Sequence, residues 1–206
     1  MAKITFVLGG ARSGKSAFAE GLAKKYNDVV YIATAEVKDD EMRERIRAHR
    51  ARRPFHWKTI ESPYHVDRVV SNLNGRAGLV FIDCITLYIT NLLLYEESVS
   101  IPLQTKRHDA VSSGEMANVT DLLAASKENP KQKQEQILAE ISKLSRVCRE
   151  SGSDVIIISN EVGLGIVPDN ALSRIFRDIA GFANQILAEE ADEVYFIMAG
   201  IAQRIK

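Results

Sequence analysis

Residues 4–16 read ITFVLGGARSGKS, a short apolar run followed by a glycine-bracketed turn, a lysine and a serine. The run Ile4 to Leu8 is rich in β-branched residues, as a buried strand requires. Gly9, Gly10, Ala11, Arg12, Ser13, Gly14, Lys15 and Ser16 then fit the phosphate-binding pattern G-x-x-x-x-G-K-[ST]. A helix-forming segment, Ala17 to Tyr26, follows. In such a loop the glycines let several backbone N–H groups turn inward towards phosphate oxygens. The helix start adds the positive end of a dipole. Lys15 is placed to reach the β- and γ-phosphates, and Ser16 to ligate Mg²⁺.

Working outward, four more apolar runs read as buried strands: Val29–Ala33, Leu79–Asp83, Val155–Ser159 and Val194–Met198. Most show no polar alternation, the mark of a parallel sheet covered on both faces. Helical segments Asp39–Arg52, Tyr64–Asn72, Gln132–Ser151 and Asn170–Glu190 lie between them. A helix start is read at Ile166-Val167-Pro168-Asp169. The alternation predicts an α/β fold, a P-loop domain with a mostly parallel sheet and helices on both faces. One domain spans residues 1–206. The polar stretch from about 96 to 135 is an excursion from it, with a short helix conceivable over Asp109–Ser126.

At 46% hydrophobic residues the chain can build a substantial core. Lys+Arg and Asp+Glu both number 27, so no global charge draws the protein to nucleic acid or an anionic membrane. Phosphate binding must come from local charge. The two cysteines, Cys84 in an apolar strand and Cys148 in a helical segment, lack metal-ligand spacing and suit a reducing compartment. The N-terminal apolar run is too short for a signal peptide, and no run is long enough to cross a membrane. A soluble, cytoplasmic protein is expected.

Three further patterns bear on chemistry. Leu79-Val80-Phe81-Ile82-Asp83 is an apolar strand ending in a carboxylate, which either holds the Mg²⁺ of a nucleotide or merely ends the strand. Arg43, Arg45, Arg47, Arg50, Arg52 and Arg53 surround His49. They make either a solvated basic helix with His49 as a passenger, or a phosphate clamp around a nucleophilic imidazole. Asn160 and Glu161 follow a buried strand, where α/β sheets bind ligands, although both could equally cap the next turn.

Taken together, GGARSGKS (9–16), YIATAE (31–36), DDEMRERIRAHRARRPFHWKTIE (39–61), DCITLYITNLL (83–93) and the stretch 160–201 carry a resemblance to a known family. They resemble the bifunctional adenosylcobinamide kinase / adenosylcobinamide-phosphate guanylyltransferase family of cobalamin biosynthesis. The pairing of H-R-x-x-R-P-x-x-W (49–57) with N-E-V-G-x-G-I-V-P (160–168) is its most specific part. The resemblance implies a RecA-like P-loop fold, homotrimers, and GTP, ATP, adenosylcobinamide and its phosphate as substrates, with Mg²⁺ as cofactor. It implies kinase action on adenosylcobinamide, then transfer of GMP from GTP through a guanylylated histidine, matched here by His49. The nucleotide-binding positions it implies are Gly9 to Ser16, Thr34, Ala35, Glu36, Arg50, Ala51, Arg52, Arg53, Glu61 and Asp83. His49 and Lys15 are then the catalytic residues, and Ser16 and Asp83 the metal ligands.

The chain departs from the family pattern where Asp83 stands for a glutamate, where Ala48 stands for a second histidine, and across 96–135. No residue stands out as a base for the kinase step. Rival readings are another small-molecule P-loop kinase with an arginine lid, a GTP-dependent switch, and an ATP-driven RecA-type assembly subunit. The chain has no N-K-x-D tetrapeptide to favour the switch, and its neutral charge gives no support to nucleic-acid binding.

Overall fold

The computed structural model describes residues 2–36, 40–95 and 129–206. The expected excursion therefore lies largely outside the described residues, as does the short helix read over Asp109–Ser126. The helix read over Gln132–Ser151 begins two residues earlier, at Pro130, within the stretch read as the excursion.

Seven strands form one sheet: β1 (Ile4–Gly9), β2 (Val29–Ala33), β3 (Lys58–Glu61), β4 (Leu79–Asp83), β5 (Asp154–Asn160), β6 (Glu193–Met198) and β7 (Ile201–Arg204). Their order is β3-β2-β4-β5-β1-β6-β7. Every pairing is parallel except that of β6 with β7. The described helices are α1 (Lys15–Ala23), α2 (Asp40–Arg52), α3 (Val66–Leu73), α4 (Ile85–Leu94), α5 (Pro130–Glu150) and α6 (Ala171–Glu190).

The continuous apolar runs follow from burial on both faces. Successive side chains in a strand point to opposite sides. Phe6, Ile32, Val80, Ile82 and Ile157 join one core with Val70 of α3, Ile89 of α4, Ile141 and Leu144 of α5 and Ile179 of α6. Their neighbours Val7, Tyr31, Phe81, Ile156 and Ile158 enter a second core with Ala19 and Ala23 of α1 and with Trp57.

The ends of the helices depend on local chemistry. Asn129 accepts the Lys131 N–H at 3.0 Å ahead of Pro130, which suits a first helical position. Asn170 accepts the Ser173 N–H at 2.7 Å, so α6 is capped two residues beyond Pro168 and starts at Ala171. Helix α1 ends earlier than its composition suggests. Its would-be last residue, Tyr26, instead sends its hydroxyl to Asp154 Oδ2 at 2.7 Å.

Three elements escape the sequence reading. Strand β3 (KTIE) is a short, half-exposed edge strand with charged ends. Helix α4 (ITLYITNLLL) is apolar nearly all round and lacks the polar face that announces a helix. Strand β7 is an exposed antiparallel edge. Cys84 follows β4 and begins α4 rather than lying in the strand. Both cysteines are buried and unpaired by disulfide. Among the described residues no helix is long and apolar enough to cross a membrane.

Candidate active site at the carboxyl ends of the strands

The parallel strands β1, β2, β4 and β5 end together at Gly9, Ala33, Asp83 and Asn160. Beyond them opens a cavity of about 880 Å³. Its wall includes Ala11 to Ser16 from the loop after β1, and Ile46, Arg50 and Arg53 from α2 and its end. Ala35, Glu61, Asp83, Asn160 and Glu161 complete the sequence-predicted lining.

The loop after β1 has the geometry its glycines promise. Gly14 takes φ +97°, and a Cβ there would meet Gly200 Cα at 3.0 Å. A Cβ on Gly9 would lie 2.5 Å from Ser13 Oγ and 2.7 Å from the Ile197 carbonyl. Arg12 also has positive φ, 57°. No side chain caps the start of α1, whose first residues Lys15, Ser16 and Ala17 line the cavity, and a helix start of this kind suits an anion. Lys15 is nearly buried and donates to the Gly10 carbonyl at 3.1 Å, folding its ammonium back over the loop.

Asp83 ends β4 as expected, and its carboxylate is held. The hydroxyl of Tyr31, on neighbouring β2, donates to Asp83 Oδ2. The other face of the arrangement belongs to Arg53, whose guanidinium carbon lies 3.5 Å from the Tyr31 ring centroid. Arg53 Nη1 also contacts Thr59 Oγ1 at 3.4 Å. Trp57 is buried beside Phe81 and Tyr31, with ring centroids 5.9 and 6.5 Å away. The backbone N–H of Trp57 closes a turn on the Pro54 carbonyl at 3.1 Å, and the buried indole anchors the end of α2. Arg50 pairs with Glu61 Oε1 at 2.7 Å across an exposed gap between α2 and β3.

Other predicted positions stand behind the wall. Thr34 is fully buried, donates to the Cys84 carbonyl and accepts the Cys84 N–H, both at 2.8 Å. Its own carbonyl accepts from Asn91 Nδ2 at 2.8 Å. Thr34 thus ties the end of β2 to the start of α4. The carboxylate of Glu36 accepts a long 3.5 Å contact from the Tyr64 hydroxyl. Gly10 serves through its carbonyl, and Ala51 is an exposed residue of α2. His49 lies within α2, while its side chain and those of Arg45 and Arg52 lie outside the described residues.

The sequence reading assigned no role to Tyr31 or Thr86. Thr86 lines the cavity, with Oγ1 accepting from Asn160 Nδ2 at 2.6 Å and 3.2 Å from Cys84 Sγ. A signal for Tyr31 did exist: a buried tyrosine in an aliphatic strand needs a partner for its hydroxyl. Burial, then the Asp83 charge, pushes the Tyr31 phenol far above its ordinary range. It therefore stays protonated and remains a donor. Burial, then Asp83, likewise pushes the Cys84 thiol up to about 11.

Comparison with known proteins agrees with this architecture. A solved ATPase from the type III secretion system of pathogenic bacteria aligns over 98% of this chain and 56% of its own, with TM-score 0.52 and 10% identity, a likeness of fold alone. The bifunctional adenosylcobalamin biosynthesis protein CobU of Escherichia coli strain K12 is 39% identical over 200 residues, 97% of this chain and 98% of that protein. The protein of the same name from Salmonella typhimurium strain LT2 is 39% identical over the same shares. The family model described as cobinamide kinase / cobinamide phosphate guanyltransferase matches residues 5–205. With its P-loop, its strand-end carboxylate and near full-length relatives, the chain belongs to the cobinamide kinase / cobinamide phosphate guanyltransferase family.

Proposed function

We propose that this one cavity serves both reactions of the family, with His49 as the covalent carrier of GMP. In the first, adenosylcobinamide is phosphorylated by a nucleoside triphosphate. In the second, GTP gives GMP to His49 with release of pyrophosphate, and the phosphorylated corrinoid takes the GMP. The observation that carries this reading is that the P-loop and the arginine-bearing end of α2 line the same space. His49 lies in α2 between Ile46 and Arg50, both of which line the cavity.

The loop N–H groups, Lys15 and the start of α1 stabilise the departing phosphate chain, whether attack falls on the γ- or the α-phosphorus. Arg50 and Arg53 bind phosphate oxygens, for which planar guanidinium groups are suited. Glu61 sets Arg50, and Tyr31 sets Arg53. A neutral His49 imidazole attacks the α-phosphorus, the P–O bond to pyrophosphate breaks, and a phosphoramidate results. The acceptor's phosphate then displaces the imidazole.

Ser16 and Asp83 supply hard oxygen donors on one cavity wall and fit Mg²⁺. No cluster of three or more acidic, histidine or cysteine ligands occurs among the described residues. That suits an ion that takes one or two protein oxygens and completes its shell with phosphates and water. Bound there, Mg²⁺ would offset phosphate charge in both reactions.

The reading extends to a cytoplasmic homotrimer built of single P-loop domains, each with its excursion near 96–135 and no affinity for nucleic acid. Incubation with α-labelled GTP and Mg²⁺, followed by peptide mass mapping, tests the reading. GMP on the peptide containing His49 supports it, and label on another residue overturns the carrier assignment.

A further inference from the structure

Among the described residues, three carboxylates line the cavity, those of Glu61, Asp83 and Glu161. Two are already engaged by side chains. Glu61 pairs with Arg50, and Asp83 accepts the Tyr31 hydroxyl. For Glu161, the contact among the described residues comes from a backbone group: Gly163 N–H donates to Oε1 at 2.5 Å.

Glu161 is also firmly placed. Its own N–H donates to the Gly9 carbonyl at 3.1 Å, at the first glycine of the P-loop. The preceding residue, Asn160, is locked by Thr86 through its amide and by Asn184 Nδ2 through its carbonyl, at 2.6 and 3.3 Å. The following turn wraps the carboxylate closely, since a Cβ on Gly163 would lie 2.9 Å from Oε1. Strand β5 lies between β1, which leads into the P-loop, and β4, which ends in Asp83. Glu161 therefore stands at the rim of the phosphate site, with one oxygen fixed by the backbone.

The two reactions differ in their need for a base. The kinase acceptor is an alcohol, whose proton must leave as the new P–O bond forms. The guanylylation nucleophile is a neutral imidazole, and the final acceptor is a phosphate already ionised at neutral pH. Only the kinase step has an acceptor proton that a carboxylate could usefully take.

We propose that Glu161 is the proton acceptor for the substrate hydroxyl in the kinase step. The hydroxyl oxygen bonds to the γ-phosphorus, and the bond from that phosphorus to the β–γ bridging oxygen breaks. The electron pair leaves with the nucleoside diphosphate. The hydroxyl proton passes to the Glu161 carboxylate and then to water. This assignment rests on the reading that one cavity serves both reactions.

Glu161→Gln tests it, because the amide oxygen can still accept from Gly163 while the basic carboxylate is gone. Kinase turnover is measured with ATP and adenosylcobinamide. GMP labelling from α-labelled GTP is measured on the same preparation. The expected result is a kinase kcat reduced by about 10²- to 10⁴-fold, nucleotide KM little changed, and labelling retained. Glu161→Asp should recover part of the rate. Kinase activity at the wild-type level with labelling intact overturns the role of Glu161 alone. Equal loss of both reactions also overturns it, and makes Glu161 part of the loop's architecture. Failure of the wild-type protein to label on His49 would count against the shared-site reading instead.

Discussion

The hydroxyl of Tyr31 donates to Asp83, while the face of the same ring carries the guanidinium of Arg53 at 3.5 Å. One buried side chain therefore sets both a strand-end carboxylate and an arginine next to the helix that bears His49. Tyr31→Phe keeps the ring and its stacking on Phe81 at 5.0 Å but removes the donor. The Mg²⁺ concentration for half-maximal nucleotide binding should rise about 2- to 10-fold, the worth of one hydrogen bond. Titration calorimetry with GTP at several Mg²⁺ concentrations checks this. An unchanged metal dependence would mean that Tyr31 does not set Asp83.

Lys15→Ala should leave the fold intact, because the ammonium serves the loop rather than the core. GTP affinity should fall about 10- to 100-fold, as loss of a charge-assisted contact of roughly 1.5–3 kcal/mol implies. Fluorescent-nucleotide titration, with circular dichroism as the control for folding, measures it. Wild-type affinity would remove Lys15 from the phosphate site.

The ion pair between Asp67 on α3 and Lys143 on α5 should make stability sensitive to acid. The pair is 2.7 Å long, with the Asp67 side chain buried and Lys143 half-exposed. Burial acts to raise the Asp67 carboxyl, but the Lys143 ammonium and the Arg68 N–H outweigh it and hold it below its ordinary range. A depressed folded pKa means stability present above the unfolded value, about 4, and lost as pH falls through the folded one. Lys143→Met should therefore lower the melting temperature at pH 7, and the gap from wild type should close below pH 4. A gap independent of pH would show that packing, not charge, joins the two helices.

Both thiols should be silent in the native protein. Burial pushes Cys148 up to about 12, and burial with Asp83 pushes Cys84 up to about 11. A rise from 9 to about 11 cuts the thiolate fraction about 100-fold at pH 8, before access is considered. A thiol reagent should count none in native protein and two after denaturation. Rapid native labelling of Cys84 would show that the cavity floor opens.

The sequence made the central strands and the P-loop legible because continuous apolar runs can be satisfied only inside a two-faced parallel sheet. It hid β3 and α4 for opposite reasons. The four residues of β3 are too few and too polar to signal burial, and α4 is too uniformly apolar to show a helical period. At the site, Lys15, Ser16 and Asp83 were legible from local patterns. Arg50 and Arg53 were read as a cluster, but their separate partners, Glu61 and Tyr31, could not be. Those contacts depend on α2 and its end lying against β2 and β3, neighbours in the sheet, an adjacency that only the tertiary structure supplies. The buried hydroxyl of Thr34 bonds the Cys84 backbone, a contact from β2 to the start of α4 that no local pattern announces.

The assembly is a separate matter for solution measurement. Sedimentation equilibrium should give a mass near three times the 22.9 kDa of one chain. A stable monomer at working concentration would contradict the trimer.

The account turns on His49. A phosphoramidate formed there should be labile in acid and stable in base, unlike a serine phosphodiester. Its formation should decline as pH falls and the imidazole becomes protonated. The decisive measurement is GMP labelling of His49→Asn from α-labelled GTP, with kinase turnover on ATP followed in parallel. The account predicts no label and no transfer to the phosphorylated corrinoid, while the kinase step survives because it needs no covalent intermediate. Full, acid-labile labelling of the His49→Asn protein would contradict it and leave His49 a passenger on a basic helix.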